Sequence, residues 1–388
     1  MTILCVNAGS SSLKVALFDM GADETRVASA AVEAVGADEG RLRVHDARGD
    51  TTETRATFSD VRAALESALD RLALDAPDAV GHRLVHGGPD HAAPEPIDDR
   101  VLAALRRTVS FAPLHLPVQL ECIDAVASRF PGVPQVACFD TAFHRTMPPV
   151  AQRFPLPRRL FDDGIRRYGF HGLSYEYIVV TVGAAALGRA VIAHLGNGAS
   201  LAAVRDGRSL DTTMGFTPTG GVMMGTRSGD LDPGILVHLA RDGYDAAALE
   251  RVVDGEAGLL GVSGIASDMK TLLERRARDP HAAEAVELFC YEVRKAIGAL
   301  AAVLGGIDTL VFTGGIGERG APVRAEICAG LAHLGIRLDP DENAAHADVV
   351  SAPGGACTVR VVPTDEDRMI ARHTRNVVWG RRDRCRSA

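Results

Sequence analysis

Several common signatures are missing from this chain. Its seven cysteines, Cys5, Cys122, Cys138, Cys290, Cys328, Cys357 and Cys385, stand far apart, and none forms a C-x-x-C pair. The odd count and wide spacing exclude a disulfide framework and a cysteine zinc site. No H-E-x-x-H occurs, so the zinc-peptidase arrangement is excluded as well. No apolar run reaches the length that crosses a bilayer. The first strand begins at once, with no basic stretch, apolar run and cleavage site before it. A reducing cytoplasm is therefore the expected location. Basic excess is lacking too: the formal net charge is -8, which argues against nucleic acid as the main partner. A local basic pocket for a small anion remains open. The Walker pattern G-x-x-x-x-G-K-[ST] is absent.

The chain has 388 residues, 46% hydrophobic and 24% charged, enough for two buried cores. "TILCVNAG" and "SLKVALFDM" read as a hairpin turned by Gly9 to Ser12. Two half-exposed strands follow, "GRLRVHDARGD" and "TTETRATF", then an amphipathic helix in "FSDVRAALESALDRLAL" with Ser59 as its expected cap. Helices and strands then alternate to "PQVACFDTAFH", which predicts a mixed sheet with helical cover. The proline-rich "PPVAQRFPLP" marks a boundary, which sets one domain at 1–147 and a second at 148–370. After it the strand, small-residue turn, strand pattern restarts in "RAVIAHLGNGASLAAV", and a duplicated fold follows from that pattern. "FTPTGGVMMGTRSGDLDP", with four glycines, is irregular; "FTGGIGERG" is a strand meeting a glycine-rich turn. The basic tail "RNVVWGRRDRCRSA" reads as a solvated end, with a charge contact to a partner as the alternative.

The polar residues gather where strands end. In "NAGSSSLK", a bare turn with hydroxyls and Lys14 suits an anion, and equally suits a polar hairpin with an exposed lysine. Arg83 in "GHRLVHGG" and Arg227 in "MGTRSGD" sit beside glycine turns, where an arginine fork either takes phosphoryl or carboxylate oxygens or closes a structural ion pair. His115, His171 and His194 have no zinc spacing; they pack, bond backbone or donate to an anion. Asp140 lies at a strand end, where open sheets bind ligands. The acidic turn Asp365, Glu366 and Asp367 suits a hard cation, and also suits a helix first turn.

Taken together, "VNAGSSSLK", "GHRLVHGG", "APLH", "FDTAFH", "RYGFHG", "AHLGNGAS", "MMGTRSGDLDP", "GVSGIASDMK", "FTGGIGE" and the "PT-E" turn resemble the acetate kinase family, the acetate and propionate kinases of the acetokinase group. The motifs run in order from residue 5 to about 370. The resemblance implies an α/β, duplicated actin-like (ribonuclease H-like) ATPase fold, with two domains around a cleft, shared with sugar kinases, Hsp70 and actin. The C-terminal helix, about 371–388, would pack back on the first domain. It also implies reversible transfer of the ATP γ-phosphoryl group to acetate, giving acetyl phosphate and ADP, with Mg²⁺ (or Mn²⁺), in a cytoplasmic homodimer.

Residue by residue, the resemblance assigns Asn7 and Glu366 to the metal, and Ser10, Ser12 and Lys14 to phosphate. Arg83 and Arg227 would hold the carboxylate and the phosphoryl in flight, Asp140 would be the essential carboxylate, and His171 a transition-state donor. His194, Asn197 and Gly198 would contact phosphate. Val85, Leu114, Phe170 and Pro218 would form the acyl pocket. Asp268, Met269 and Lys270, with Gly314, Gly315, Ile316, Gly317 and Glu318, would take the nucleotide.

Four departures stand out: Leu116 where asparagine is usual, "TPTGG" with Thr219 and Gly220, Lys270 in place of arginine, and "TDED" around Glu366. The alternatives are a propionate or butyrate kinase, a non-catalytic ATP-binding module of the same fold, and an unrelated carrier or storage protein.

Overall fold

The first strand decides the architecture. β1 (Thr2–Ala8) is apolar on both faces and buried almost throughout, which calls for a neighbour on each edge and cover on both sides. It pairs antiparallel with β2 (Ser12–Asp19) and parallel with β6 (Ala79–Leu84). The computed structural model describes residues 1–9 and 12–380. β3 (Thr25–Glu33), β4 (Gly40–His45) and β5 (Thr51–Ala56) extend the meander beyond β2. β4 alternates buried and exposed residues, and β5, at the sheet edge, is almost wholly exposed and carries Glu53 and Arg55. Charges there discourage pairing with another chain. On the other side of β6 lie β8 (Gln135–Phe139) and the short β7 (Glu95–Pro96), giving the order β5-β4-β3-β2-β1-β6-β8-β7.

Helix Val61–Leu72 covers one face, burying Ala64, Leu65, Ala68 and Leu69. Its cap is Asp60, not Ser59: Asp60 Oδ1 accepts from the Ala63 N–H at 2.8 Å, and the Ser59 hydroxyl donates to Asp60 at 2.8 Å. A carboxylate holds the first-turn amides better than a hydroxyl does. Helix Glu366–Val378 packs on β1, β6 and β8. Gly81 makes that docking possible, because a Cβ there would lie 2.2 Å from Thr374 Oγ1 and 2.5 Å from Ile370 Cγ2.

A second sheet has the order β11-β10-β9-β12-β13. Its strands are β9 (Arg189–Leu195), β10 (Ala199–Arg205), β11 (Arg208–Thr212), β12 (Thr309–Thr313) and β13 (Thr358–Val361). β9 pairs antiparallel with β10 and parallel with β12, as β1 does with β2 and β6. The run β3-β2-β1-β6-β8 of the first sheet thus has the same pattern as the whole second sheet, so the duplication lies in topology, where sequence shows no repeat. Helix Pro280–Leu304 packs on β9, β10 and β11, capped by Asp279 and stopped by Gly305 at φ 70°.

The chain divides into Met1–Ala142 with the segment from Asp365 onward, and Phe143–Thr364. The boundaries expected at 147 and 370 therefore move. Phe143 packs on the core around Tyr175 and Ile178, and the helix that begins at Glu366 packs on the first sheet. The tail beyond residue 380 lies outside the described residues, as does Cys385. The other six cysteines are buried thiols, and burial pushes those of Cys122, Cys290 and Cys328 up to about 12.

Gly81→Ala is expected to destabilise the first unit by about 1–3 kcal/mol through overpacking. Urea denaturation followed on the purified protein checks this, and an unchanged midpoint would show that the helix yields without cost.

Candidate active site

In the first unit the polar residues stand at the carboxyl ends of three parallel strands. Asn7 is the last residue but one of β1, Arg83 lies near the end of β6, and Asp140 directly follows β8. Arg83 Nε donates to Asp140 Oδ2 at 3.0 Å and Oδ1 at 3.2 Å, and Nη2 donates to Oδ2 at 2.6 Å. Arg83 Nη1 donates to Asn7 Oδ1 at 3.0 Å, and Asn7 Nδ2 donates to Glu366 Oε2 at 3.2 Å. Asp140 has no exposed surface, and the Arg83 side chain keeps 15%. A guanidinium has five N–H donors. Asp140 and Asn7 take three, leaving two for a further anion. Burial alone would lower the Arg83 pKa, but the charges of Asp140 and Glu366 outweigh it and raise it above its ordinary value.

Lys14 faces Asn7 across the β1–β2 register and is exposed. Antiparallel partners share a face, so the amine rises beside the amide. Ser12 closes the turn through its carbonyl, which accepts from the Gly9 N–H at 2.8 Å. Ser10 lies outside the described residues.

The acidic turn separates into three roles. Asp365 caps its helix, accepting from the Arg368 N–H at 3.1 Å, and pairs with Arg26 at 2.7 Å. Asp367 is half-buried, and its desolvation raises its carboxyl against the opposing pull of Arg26. Glu366 is the residue that bonds Asn7. Among the described residues no group of three or more His, Cys, Asp or Glu is placed to hold a metal. Asn7 and Glu366 offer only oxygen to a cation, the donor type that suits a magnesium ion completed by water and phosphate.

The second unit holds a separate cluster. His171, at φ 57°, begins helix Gly172–Val182 and stacks on His194 with ring centroids 4.2 Å apart. His171 Nδ1 meets Ser200 Oγ at 2.8 Å, and His194 Nδ1 meets Ser174 Oγ at 2.8 Å. With Nδ1 engaged there, the His171 edge that faces the β9–β10 turn carries its Nε2 atom. A Cβ placed on Gly198, in the β9–β10 turn, would lie 3.3 Å from it and 3.6 Å from Arg227 Nη1. Glycine at 198 therefore lets His171 and Arg227 converge on one spot of bare backbone. Arg227 Nη1 also donates to the Pro218 carbonyl at 3.2 Å. Asn197 packs on Gly225, whose N–H donates to the Asn197 carbonyl at 2.9 Å.

Other expected positions serve partly as structure. Val85 and Phe170 are buried, Leu114 is 44% exposed, and Pro218 is half-buried. Asp268 caps helix Met269–Arg275, accepting from the Thr271 N–H at 2.9 Å and its hydroxyl at 2.8 Å. Met269 is core, and Lys270 is exposed. "FTGGIGERG" is not a turn: Gly314–Arg319 is a short helix that follows β12 directly. Gly314 is needed for its φ of 76° and because a Cβ would lie 2.8 Å from the Leu195 carbonyl oxygen. Glu318 bends back to accept from the N–H groups of Gly314 at 3.0 Å and Thr364 at 3.2 Å, so it braces the helix. Gly315 is exposed, Ile316 half-buried and Gly317 buried.

Arg324 was not singled out by its sequence. It is fully buried and donates to the carbonyls of Gly317 at 2.7 Å and Glu318 at 2.9 Å and to Asn343 Oδ1 at 2.8 Å, fixing the short helix from behind. An arginine in a charged helix looks like surface, and only its apolar neighbours Val323 and Ile327 hinted otherwise.

The acetokinase family profile matches residues 2–372. The chain is 45% identical over 397 aligned residues to an acetate kinase of Rhodopseudomonas palustris, covering 97% of each chain. It is 46% identical to an acetate kinase of Rhizobium meliloti, covering 96% of this chain and 97% of that one. Among solved structures, a Porphyromonas gingivalis acetate kinase superposes with a TM-score of 0.86 at 37% identity, covering 97% of this chain and 99% of that one. A propionate kinase from Francisella tularensis superposes with a TM-score of 0.91 at 33% identity, covering 97% of this chain and all of that one. The chain belongs to the acetokinase family and has its two-unit α/β fold, that of the actin, Hsp70 and sugar-kinase group. With membership goes ATP-dependent phosphotransfer to a short-chain carboxylate.

Two buried histidines set a pH dependence. Burial lowers His82 and His144 to about 4, although His82 bonds Gln135 and His144 bonds the Phe170 carbonyl. The unfolded chain protonates them near 6.5. Their neutral forms therefore contribute stability that is complete above about 6.5 and is lost as pH falls toward 4. Urea midpoints are expected to drop across that window, and a His82→Gln, His144→Gln double variant should show a shallower slope; an equal slope would contradict the assignment.

Proposed function

We propose that this chain transfers the γ-phosphoryl group of ATP to acetate, reversibly, forming acetyl phosphate and ADP. The observation that carries this reading is the linked set Asp140, Arg83, Asn7 and Glu366, in which a buried carboxylate fixes an arginine that still has donors for an anion.

The chemistry needs no strong base. An acetate oxygen is already ionised at neutral pH, since carboxylates titrate near pKa 4. Asp140 therefore orients Arg83 and balances its charge. The acetate oxygen attacks the γ-phosphorus, the bond from phosphorus to the β–γ bridging oxygen breaks, and ADP leaves with that electron pair. Bringing two anions together is the main barrier, and Arg83, Arg227 and Lys14 supply opposing charge. His171 and Arg227, which converge on Gly198, suit donation to phosphoryl oxygens as charge develops. Asn7 and Glu366 would hold Mg²⁺, or Mn²⁺, which when bound offsets phosphate charge. Ser12, His194, Asn197 and Gly198 are assigned to phosphate, and Asp268 to Lys270 with Gly314 to Glu318 to the nucleotide. Within the last set, exposed Asp268, Lys270 and Gly315 and half-buried Ile316 and Glu318 have surface open to contact.

Acetate is proposed over propionate on the strength of the curated relatives named above. Val85 and Leu114 of the first unit and Phe170 and Pro218 of the second are the residues assigned to the acyl chain. One methylene against apolar side chains is worth only about 1–3 kcal/mol, so the two acids lie close in preference. A homodimer is proposed as well; Leu231, Ile235, Val237 and Tyr244 are each more than 40% exposed and offer apolar surface for it. Six buried thiols fit a reducing cytoplasm.

Trapping acyl phosphate with hydroxylamine, using purified protein, ATP, Mg²⁺ and a panel of carboxylates, tests the reading. Acetate should give the highest kcat/KM, and Arg227→Ala should lower turnover by at least ~10²-fold, the scale of one lost transition-state donor. ATP binding with no acyl phosphate from any carboxylate would reject it. A kcat/KM highest for propionate or butyrate would reject acetate alone.

A further inference from the structure

The loop that carries Arg227 has almost no regular structure of its own, yet one neighbouring turn bonds to it at Thr219, Thr226 and Ser228. Residues Arg251–Gly255 form a π-helical turn, closed by the Glu256 N–H donating to the Arg251 carbonyl at 3.0 Å. π-turns are rare, and they free carbonyls that an α-helix would keep inside its own ladder. Here those groups reach the Arg227 loop. The Val253 carbonyl accepts from the Ser228 N–H at 2.9 Å, and the Asp254 carbonyl accepts from the Thr226 hydroxyl at 2.7 Å. The Asp254 carboxylate accepts from the Thr219 hydroxyl at 2.6 Å. Thr219 adjoins Pro218, whose carbonyl accepts from Arg227 Nη1. Asp254 therefore ties both ends of the loop, one beside Pro218 and one beside Arg227. Gly258 lies against the same place: a Cβ there would sit 2.2 Å from the Met224 carbonyl oxygen and 3.0 Å from the Arg227 nitrogen.

We propose that Asp254 and Thr219 are positioning residues for phosphotransfer, acting by clamping the Pro218–Arg227 contact so that the guanidinium keeps its aim. Thr219 is one of the positions where this chain departs from the usual motif, so the clamp is a feature of this chain's own sequence. The inference rests on the proposed role of Arg227. A positional error of about 1 Å at such a group costs as much as ~10²-fold in rate, and a loosened loop should cost part of that.

The test is a mutant cycle on the full-length protein with ATP, Mg²⁺ and acetate. Thr219→Val should lower kcat about tenfold, within the range that misplacement costs, with KM for ATP and the urea midpoint unchanged. Thr219→Ser and Asp254→Asn, which keep the donor and the acceptor, should stay near wild type. On an Arg227→Ala background, Thr219→Val should add no further loss. Should Thr219→Val fold poorly, Thr219→Ala removes the same hydroxyl. Wild-type kcat for both hydroxyl-free variants, or the same fractional loss with and without Arg227, overturns the clamp. Arg227→Ala with full turnover would instead overturn the assigned role of Arg227, and the clamp with it.

Discussion

The ion pair between Arg83 and Asp140 is the constraint on which the first unit's chemistry depends. Two opposite charges out of water cost desolvation that their attraction only partly returns, so such a pair is a poor device for stability alone. What it provides is aim. With Nε and Nη2 on Asp140 and Nη1 on Asn7, all three nitrogens of the guanidinium are engaged, which fixes its orientation. The pair exists because β6 and β8 run parallel, which brings Arg83 and Asp140 to the same edge of the sheet. Asn7 reaches that edge on β1, parallel to β6, and carries the network on to Glu366.

The second unit repeats this logic with different residues. His194 lies near the carboxyl end of β9, and the helix Gly314–Arg319 springs from the carboxyl end of β12, parallel to it. Ligand sites in open α/β sheets gather at such edges because loops, not strands, can bring side chains together there. Close approach is supplied by glycine. Gly198, Gly225 and Gly258 each leave room that a methyl group would take from His171 and Arg227, from Asn197, or from the Met224 carbonyl. The irregular loop around Arg227 is thus held by tight backbone contacts where secondary structure is missing.

Much of this was legible in the sequence. The opening hairpin, the restart at "RAVIAHLGNG" and the strand ends with Arg83, Asp140 and His194 follow from alternation and small residues, which report local geometry directly. The pairing of Arg83 with Asp140 was not legible. It joins residues 57 positions apart and depends on strand order, which no local pattern encodes. Helix Gly314–Arg319 was hidden because two adjacent glycines disfavour helix, yet the braces from Glu318 and Arg324 override that preference. Ser59 lost the cap to Asp60 because both residue types cap well and only the carboxylate reaches the Ala63 amide here. The unit boundaries moved for a related reason: proline marks where the chain bends, while core packing by Phe143 decides to which unit a segment belongs.

The central claim is that an arginine fixed by a buried carboxylate receives the acid that is phosphorylated. Steady-state kinetics of Arg83→Ala with acetate as the varied substrate, in the absence and presence of added guanidinium, test it most directly. The account predicts a loss in kcat/KM for acetate of at least ~10²-fold, on the scale of a deleted charge-stabilising donor, partly restored by guanidinium seated against Asp140. A variant that keeps wild-type kcat/KM for acetate would contradict it.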